Sequence, residues 1–302
     1  MPTLKKKLQG KVKMPKDRKQ EKPLWQGPSV EGVTQSLLSR YVTCRERFRI
    51  RTILGLTSVK GFNSRTHYGD LWHICEEAHA AKRDWNKELY EAAQRLAQTY
   101  YANGSDIDKW YNVCKVQFPL YVKWWRDHPD VKKREPLYQE YEFNLKYQLK
   151  SGRHVFLRGK MDSVDRINKC LWLQENKTKG DIDPAMMQRQ LQFDLQTMVY
   201  LTVLHELLPK EKLAGVRYNV IRRPLSGGKG SIRQHQPTKN NPNGETNAEY
   251  YARLEEIIAN AIEPDGSHYF FMRWNVEINL EDIERFRSEE HTSELQSRGL
   301  IS

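Results

Sequence analysis

The sequence contains no long hydrophobic run. Of its 302 residues, 38% are hydrophobic, and the mean hydropathy is −0.82. No stretch approaches the roughly 20 apolar residues that cross a bilayer. The basic segment at residues 1–22 never reaches the apolar stretch of a secretory signal. We therefore expect a cytoplasmic protein without a membrane partner.

Cysteine is also scarce. The four cysteines are far apart and include no CxxC pair. Such spacing is typical of reduced thiols in a reducing compartment, and it excludes both a disulfide scaffold and a zinc ribbon. The residues are Cys44, Cys75, Cys114 and Cys170.

Acidic residues are outnumbered, 38 against 50 basic ones, which gives a net charge of +12. Residues 1–24 hold nine basic and two acidic residues, a net +7, together with three prolines. This composition predicts a disordered basic tail. Two alternatives stay open for the tail, namely plain solvation and non-specific phosphate binding. Charge alone is therefore weak evidence for a nucleic-acid partner of the folded part.

The other end of the chain has an unusual composition. Residues 287–297 read RSEEHTSELQS, a string that resembles the in-frame translation of a common sequencing adapter. We expect residues 287–302 to be a non-native tail, and we expect the natural protein to continue past about Phe286.

Hydrophobic periodicity divides the rest of the chain into helical and strand-like segments. The pattern predicts three sequential antiparallel strands between two groups of helices. The predicted helices are a Thr34- or Ser36-capped helix through Ile50, 69–101, 106–127 with a break near Pro119, 183–208 and a helix capped by Thr246 and Glu249. The predicted strands are 139–148, 153–167, 169–175, 213–222 and 268–278, with a long loop at 223–244.

The segment 159–177 carries the clearest chemical pattern. Asp162 is near the end of one predicted strand, and Glu175-Asn176-Lys177 ends the next. Residues i and i+2 of a strand point to one face, so Glu175 and Lys177 share a face, and hairpin pairing can bring Asp162 beside them. Two carboxylates with an ammonium suit Mg²⁺ or Mn²⁺ and phosphodiester hydrolysis. Taken alone, this spacing also occurs by chance on a solvated strand edge.

Four ordered features together resemble the PD-(D/E)XK nuclease superfamily and, within it, the RecB-type exonucleases. They are the helix SLLSRYVTCRERF, the segment GDLWH, the strands GKMDSVD and QENKTKG, and the helix FDLQTMVYL. The resemblance implies an α/β restriction-endonuclease-like core, with a mixed central β-sheet flanked by α-helices and a helical insertion. It also implies a single nuclease domain at 25–286, with a helical arm at about 69–135 and a catalytic core at about 136–222.

The resemblance further implies roles for individual residues. Asp162 and Glu175 match the metal-binding acids, and the main-chain carbonyl of Asn176 would be a further oxygen ligand. Lys177 matches the catalytic lysine, which would orient and help to deprotonate the attacking water and would stabilise charge on the phosphate. A desolvated ammonium can lower its pKa for this task. His73 matches an additional metal ligand on an earlier helix, although alone it would be an ordinary half-buried helix residue.

Gln196 and Tyr200 match the family's QxxxY motif. They lie at i and i+4, on one helix face, and would contact DNA or the outer shell of the metal. For Tyr200 the alternative of core packing stays open. Asp165, three residues beyond Asp162, is expected to be a solvated or hairpin carboxylate. Thr178 and Lys179 would contact phosphate or simply form a turn, while Trp124 and Trp125 are expected in the core.

The resulting hypothesis is a Mg²⁺- or Mn²⁺-dependent deoxyribonuclease, a RecB-like exonuclease of DNA recombination, repair or phage DNA processing. Its partner would be single-stranded DNA or duplex ends, and a helicase or recombination partner stays unknown. The alternative is a non-catalytic DNA-binding or scaffold protein with the nuclease fold. Some relatives hold an iron–sulfur cluster, but no cysteine follows Cys170. We therefore expect no cluster, and we expect Cys44 to be a packed helix residue.

Overall fold

The computed structural model describes residues 25–56, 61–126, 128, 134–149, 151–191, 194–224, 232–239 and 241–287. The predicted basic tail, the SGGKGS segment of the predicted 223–244 loop and all of the predicted adapter-derived tail except Arg287 lie outside these residues. Within the described part, no helix is both long and apolar enough to span a membrane.

The helices form two groups along the chain, one before and one after the central strands. Between Arg45–Phe48 and the next helix, Arg49–Ile53 forms a π-helical turn. The α-helices are α1 Gln35–Thr43, α2 Arg45–Phe48, α3 Ser64–Ala80, α4 Trp85–Thr99, α5 Gly104–Arg126, α6 Pro184–Leu191, α7 Leu195–Leu207, α8 Asn247–Ala259 and α9 Leu280–Phe286.

The strands form one mixed sheet. They are β1 Val33–Thr34, β2 Arg134–Gln148, β3 His154–Ile167, β4 Cys170–Lys179, β5 Leu213–Arg222 and β6 Phe271–Glu277. The sheet order is β1-β3-β4-β5-β6, and β2 pairs with β3. β2, β3 and β4 form an antiparallel meander, β4 and β5 are parallel, and β6 is antiparallel to β5. The predicted mixed α/β fold is confirmed.

A tight turn fixes the hairpin that carries the chemical pattern. Asn168 and Lys169 both have positive φ, 51° and 65°, and join Ile167 to its pair Cys170. Two left-handed residues between paired strands are typical of a type I′ turn, whose twist matches that of the flanking strands. The same register pairs Ser163 with Gln174, so Asp162 comes next to the Glu175–Lys177 segment.

Two hydrophobic clusters hold this sheet in place. The first packs α1, α7 and α9 against the strands and includes Phe143, Met161, Leu173 and Tyr200. The second joins α3, α4, α5 and α8 to the ends of β5 and β6 and includes Trp72 and Phe118. Helices α3, α4 and α5 therefore pack together beside β4 and the ends of β5 and β6.

Several predicted helix boundaries are wrong. The first helix ends at Thr43 because Cys44 is extended (φ −162°), and exposed Cys44 caps α2 through its sulfur instead of packing. The stretch 69–101 is divided between α3 and α4, and α4 has its own Asp84 cap. α5 continues through Pro119 without a break, since its neighbours in the second cluster hold Phe118 fully buried. The helix predicted for 183–208 is interrupted before Leu195, where Asp194 caps α7.

Candidate active site

Strands β3 and β4 and helices α3 and α7 meet around a cleft of about 380 Å³. The structure brings all but one of the predicted site residues to this cleft. Its walls are formed by His73, Asp162, Glu175, Asn176, Lys177, Thr178, Lys179 and Gln196. Tyr200 is the exception, and it lies beneath the cleft in the first hydrophobic cluster.

Asp162 is fixed by the strand that follows its hairpin. Its Oδ2 atom accepts a hydrogen bond from the main-chain N–H of Asn176, 2.8 Å away. The side chain of Asn176 points to the other neighbour, where its Oδ1 atom accepts from Nδ2 of Asn219 at 2.8 Å. Asn219 in turn accepts from Nε of Arg273 at 2.6 Å. Asn176 therefore faces the cleft with its backbone while its amide is held within the sheet.

Glu175 is the most deeply buried acid of the cleft, only 1% exposed. Its Oε2 atom accepts from Nζ of Lys177 at 3.1 Å and from Nε2 of Gln196 at 2.7 Å. Its Oε1 atom is buried and has no hydrogen-bond partner among the described residues. Burial, and then the charge of Asp162, raise the pKa of Glu175 to about 8. The ammonium of Lys177 lowers this pKa, but not enough to offset burial and the charge of Asp162.

Lys177 is held as an ammonium. It donates to Oε1 of Gln196 at 2.8 Å as well as to Glu175. Burial favours a lower pKa, but the carboxylates of Glu175 and Asp162 outweigh it and hold the pKa of Lys177 above its ordinary value. Desolvation thus acts in the expected direction, but the net shift of the pKa is upward because acids surround the ammonium. In this arrangement Lys177 is a hydrogen-bond donor to both Glu175 and Gln196.

His73 approaches the cleft from α3. Its Nδ1 atom lies 3.9 Å from Oδ2 of Asp162, and the side chain is 39% exposed. The approach depends on Gly69, one turn earlier, because a Cβ atom at that position would lie only 3.1 Å from Oγ1 of Thr178. A glycine thus permits α3 to lie close to β4.

Glu76 is a site-adjacent acid that the sequence interpretation missed. It lies one helical turn after His73, with its Oε2 atom 3.8 Å from Nδ1 of that histidine. This oxygen is buried without a hydrogen-bond partner among the described residues. Burial, followed by the charge of Asp162, raises the pKa of Glu76 well above its ordinary range. The only sequence signal was its i+3 spacing from His73 in GDLWHICEE.

Gln196 and Tyr200 have different surroundings although they share a helix face. Gln196 contacts both Glu175 and Lys177, so it fastens the lysine and the acid to α7. Tyr200 is 7% exposed, and its ring packs edge-on against Phe143 with centroids 5.4 Å apart. Tyr200 therefore has the core packing that was its alternative, while its hydroxyl also interacts with Gln196 and lies near enough to Glu175 for that charge to help raise its pKa, after burial, to about 12.

The other candidates are also placed by the structure. Asp165 is fully buried and forms an ion pair with Arg134 at 2.8 Å, while Ser163 donates to its other oxygen. The expectation of a solvated carboxylate is wrong, because β2 continues far enough to cover it. Trp124 and Trp125 pack in or against the second hydrophobic cluster, as expected.

The donor set fits a hard divalent cation. Among the described residues, no three His, Cys, Asp or Glu side chains are grouped as a metal site. Mg²⁺, however, is usually held by one or two carboxylates, with water as the remaining ligands. Asp162 and Glu175 supply two carboxylates to one cleft, and the orphaned Oε1 atom of Glu175 is a buried acceptor that needs a partner.

Comparison with known proteins agrees with this geometry. A family model described as PD-(D/E)XK nuclease superfamily matches residues 33–269, from β1 to the residues just before β6. A search among curated proteins found no match.

Proposed function

The chain belongs to the PD-(D/E)XK nuclease superfamily, and from this premise we propose that it is a metal-dependent deoxyribonuclease. Members of the superfamily usually hydrolyse phosphodiester bonds of nucleic acids, and they generally use divalent metals. The finer proposal is a RecB-like exonuclease that uses Mg²⁺ or Mn²⁺ and acts on single-stranded DNA or duplex ends, in recombination, repair or phage DNA processing.

One observation supports the activity most directly. Glu175, Lys177 and Gln196 form a closed set of hydrogen bonds with one another. Asp162, on the neighbouring strand, accepts a hydrogen bond from the main-chain N–H of Asn176. Holding charged groups in a fixed geometry before the substrate arrives is the main way in which an active site stabilises charge in a transition state. A non-catalytic relative would have no need for this arrangement.

Each residue has a defined task under this proposal. Asp162 and Glu175 would hold the cation, together with the carbonyl of Asn176, and His73 would add a ligand or a contact to Asp162. When bound, the cation supplies a Lewis acid and lowers the pKa of an attacking water. Lys177, held as an ammonium, donates to the phosphate oxygens as they gain charge. Gln196 keeps Lys177 in position.

The RecB-like branch has separate support. The histidine-bearing helix α3 precedes the catalytic strands, and α7 with Gln196 and Tyr200 follows them. Helices α4 and α5 lie between His73 and β2, where the resemblance implies a helical insertion. This order favours the exonuclease branch, while strandedness and polarity have to be measured.

The test is degradation of linear duplex, circular duplex and single-stranded DNA with Mg²⁺, with Mn²⁺ and with a chelator. We expect metal-dependent loss of linear DNA, resistance of circular duplex, and a reduction of at least 100-fold in Lys177→Ala. Lys87→Ala is the matched control, because Lys87 is exposed on α4. DNA binding without metal-dependent cleavage would favour the non-catalytic alternative, and equal cleavage by Lys177→Ala would refute the assigned site.

A further inference from the structure

Arg223, directly after β5, is a buried arginine that has no acidic partner among the described residues. The residue is 8% exposed, and its Nε atom has no hydrogen-bond partner among the described residues. Burial lowers the pKa of its guanidinium, and the nearby charge of Arg65, on the first turn of α3, lowers it further. Two arginines therefore lie close together at this point of the fold.

The preceding residue shows how the same chain neutralises a buried arginine. Arg222 is 4% exposed, but its guanidinium donates to Asp181 and to the carbonyls of Ile182 and Tyr269. Its charged group also lies over the ring of Tyr269 at 4.0 Å. A buried charge without a partner is destabilising, so the difference between the two arginines calls for an anion at Arg223.

The position of Arg223 points to the source of that anion. Its main-chain N–H donates to the carbonyl of Lys179 at 2.8 Å, and Lys179 lines the candidate active-site cleft. Lys179 is two residues beyond Lys177 on β4, a distance of about 7 Å at 3.3 Å per residue. Arg65 precedes His73 by eight residues on α3, or about 12 Å at 1.5 Å per residue.

Buried hydrogen bonds hold the backbone next to Arg223 in place. The hydroxyl of Tyr68 donates to Oε1 of Gln117, and Nε2 of Gln117 donates to the carbonyl of Arg222. Tyr68 and Gln117 are both fully buried. These bonds connect α3 and α5 to the end of β5, so they fix the backbone from which Arg223 projects.

We infer that Arg223, with Arg65, binds a non-scissile phosphate of the substrate strand, next to the cleavage site. The inference rests on the proposed nuclease function and extends it to a second contact with the DNA backbone. A guanidinium presents a planar fork that matches two phosphate oxygens. At about 3.4 Å per nucleotide, 7–12 Å corresponds to roughly two to four nucleotides from the scissile linkage.

The test measures DNA binding in a Lys177→Ala background, so that cleavage does not interfere. Arg223→Met is compared with Arg223→Lys and with Arg95→Met, which removes an equal charge from the exposed face of α4. We expect Arg223→Met to bind about tenfold more weakly and to reduce the slope of log K against log salt by about one. Arg223→Lys should be intermediate, and Arg95→Met should match the parent.

A second measurement locates the contact. Single methylphosphonate linkages, which carry no charge, are placed in turn along the oligonucleotide. The parent should lose affinity at one linkage two to four nucleotides from the cut, and Arg223→Met should be insensitive there. The thermal unfolding midpoint of Arg223→Met should equal or exceed that of the parent, because the substitution removes an uncompensated buried charge.

The outcomes separate the two proposals. Identical binding, salt slope and methylphosphonate profile in Arg223→Met and the parent would refute the phosphate contact, whether or not the wild-type protein cleaves DNA. A lower unfolding midpoint in Arg223→Met with an unchanged profile would refute it as well, since the residue would then be structural. If the position-specific loss appears but the wild-type protein cleaves no DNA, the contact stands and the nuclease proposal fails.

Discussion

Gln196 offers the sharpest test of how the cleft works, because the sequence left open whether it contacts DNA or the metal's surroundings. Its amide donates to Glu175 at 2.7 Å and accepts from Lys177 at 2.8 Å. Gln196→Met has nearly the same shape and removes both hydrogen bonds. Lys177 still keeps its bond of 3.1 Å to Glu175, so the lysine becomes less well positioned without losing its ion pair.

The size of the effect follows from this partial loss. A hydrogen bond to a charged group contributes about 1.5–3 kcal/mol. If one such bond is lost in the transition state, the cleavage rate should decrease roughly 10- to 100-fold, at about 1.4 kcal/mol per factor of ten. Gln196→Glu keeps the acceptor for Lys177 but places a carboxylate against Glu175, and it should be at least as slow.

The assay is single-turnover cleavage of a labelled oligonucleotide with the protein in excess, together with the Kd for the same DNA in a Lys177→Ala background. A positioning role predicts a lower rate constant for Gln196→Met and an unchanged Kd. A weaker Kd with an unchanged rate constant would show that Gln196 is a DNA contact. If neither the rate constant nor the Kd changes, Gln196 has no role in cleavage or in DNA binding.

Two further predictions concern how the site is supported. Gly69→Ala should change the free energy of unfolding by less than about 1 kcal/mol, because better helix propensity offsets the contact of 3.1 Å with Thr178. Gly69→Leu should push α3 from β4 and lower both the unfolding midpoint and the cleavage rate, and equal behaviour of the two variants would contradict this. His268 stacks on Phe271 at 4.3 Å, and burial lowers its pKa from 6.5 to about 4. The unfolded chain therefore takes up the proton first, so stability is complete above pH 6.5 and decreases by up to about 3 kcal/mol towards pH 4. The free energy of unfolding, measured by urea denaturation between pH 6.5 and pH 4, should depend less steeply on pH in His268→Gln than in His205→Gln. Equal pH slopes in the two variants would refute this role of His268.

The two strands that carry the candidate site could be predicted because the information is local. Alternating side chains and the Asn168-Lys169 turn set the register of the β3–β4 hairpin, and that register brings Asp162 beside Glu175. A hairpin needs no distant partner to specify which residues face each other. The same applies to the Thr246 and Glu249 capping box, which the structure contains as expected.

The missed features depend on contacts between distant segments. Asp165 is buried only because Arg134, on another strand, covers it. Pro119 stays helical because α5 packs on α3, α4 and α8, and that packing offsets the missing N–H. Glu76 is buried beside Asp162, 86 positions further along the chain. None of these neighbours can be deduced from a local pattern.

The charges along the contact between α3 and β4 explain how one cleft can accept a polyanion. Near His73, the acids Asp162 and Glu175 would repel a phosphate, and the ammonium of Lys177 is already bound to Glu175. Near the start of α3 the sign is reversed, because Arg65 and Arg223 lie close together and Arg223 has no acidic partner in the described part of the chain. A bound cation would remove the repulsion at the first end, and the arginines would attract the strand at the second. The metal requirement of catalysis and the metal-independent phosphate contact should therefore separate in experiment: chelation should abolish cleavage but leave the Arg223-dependent part of DNA binding in place.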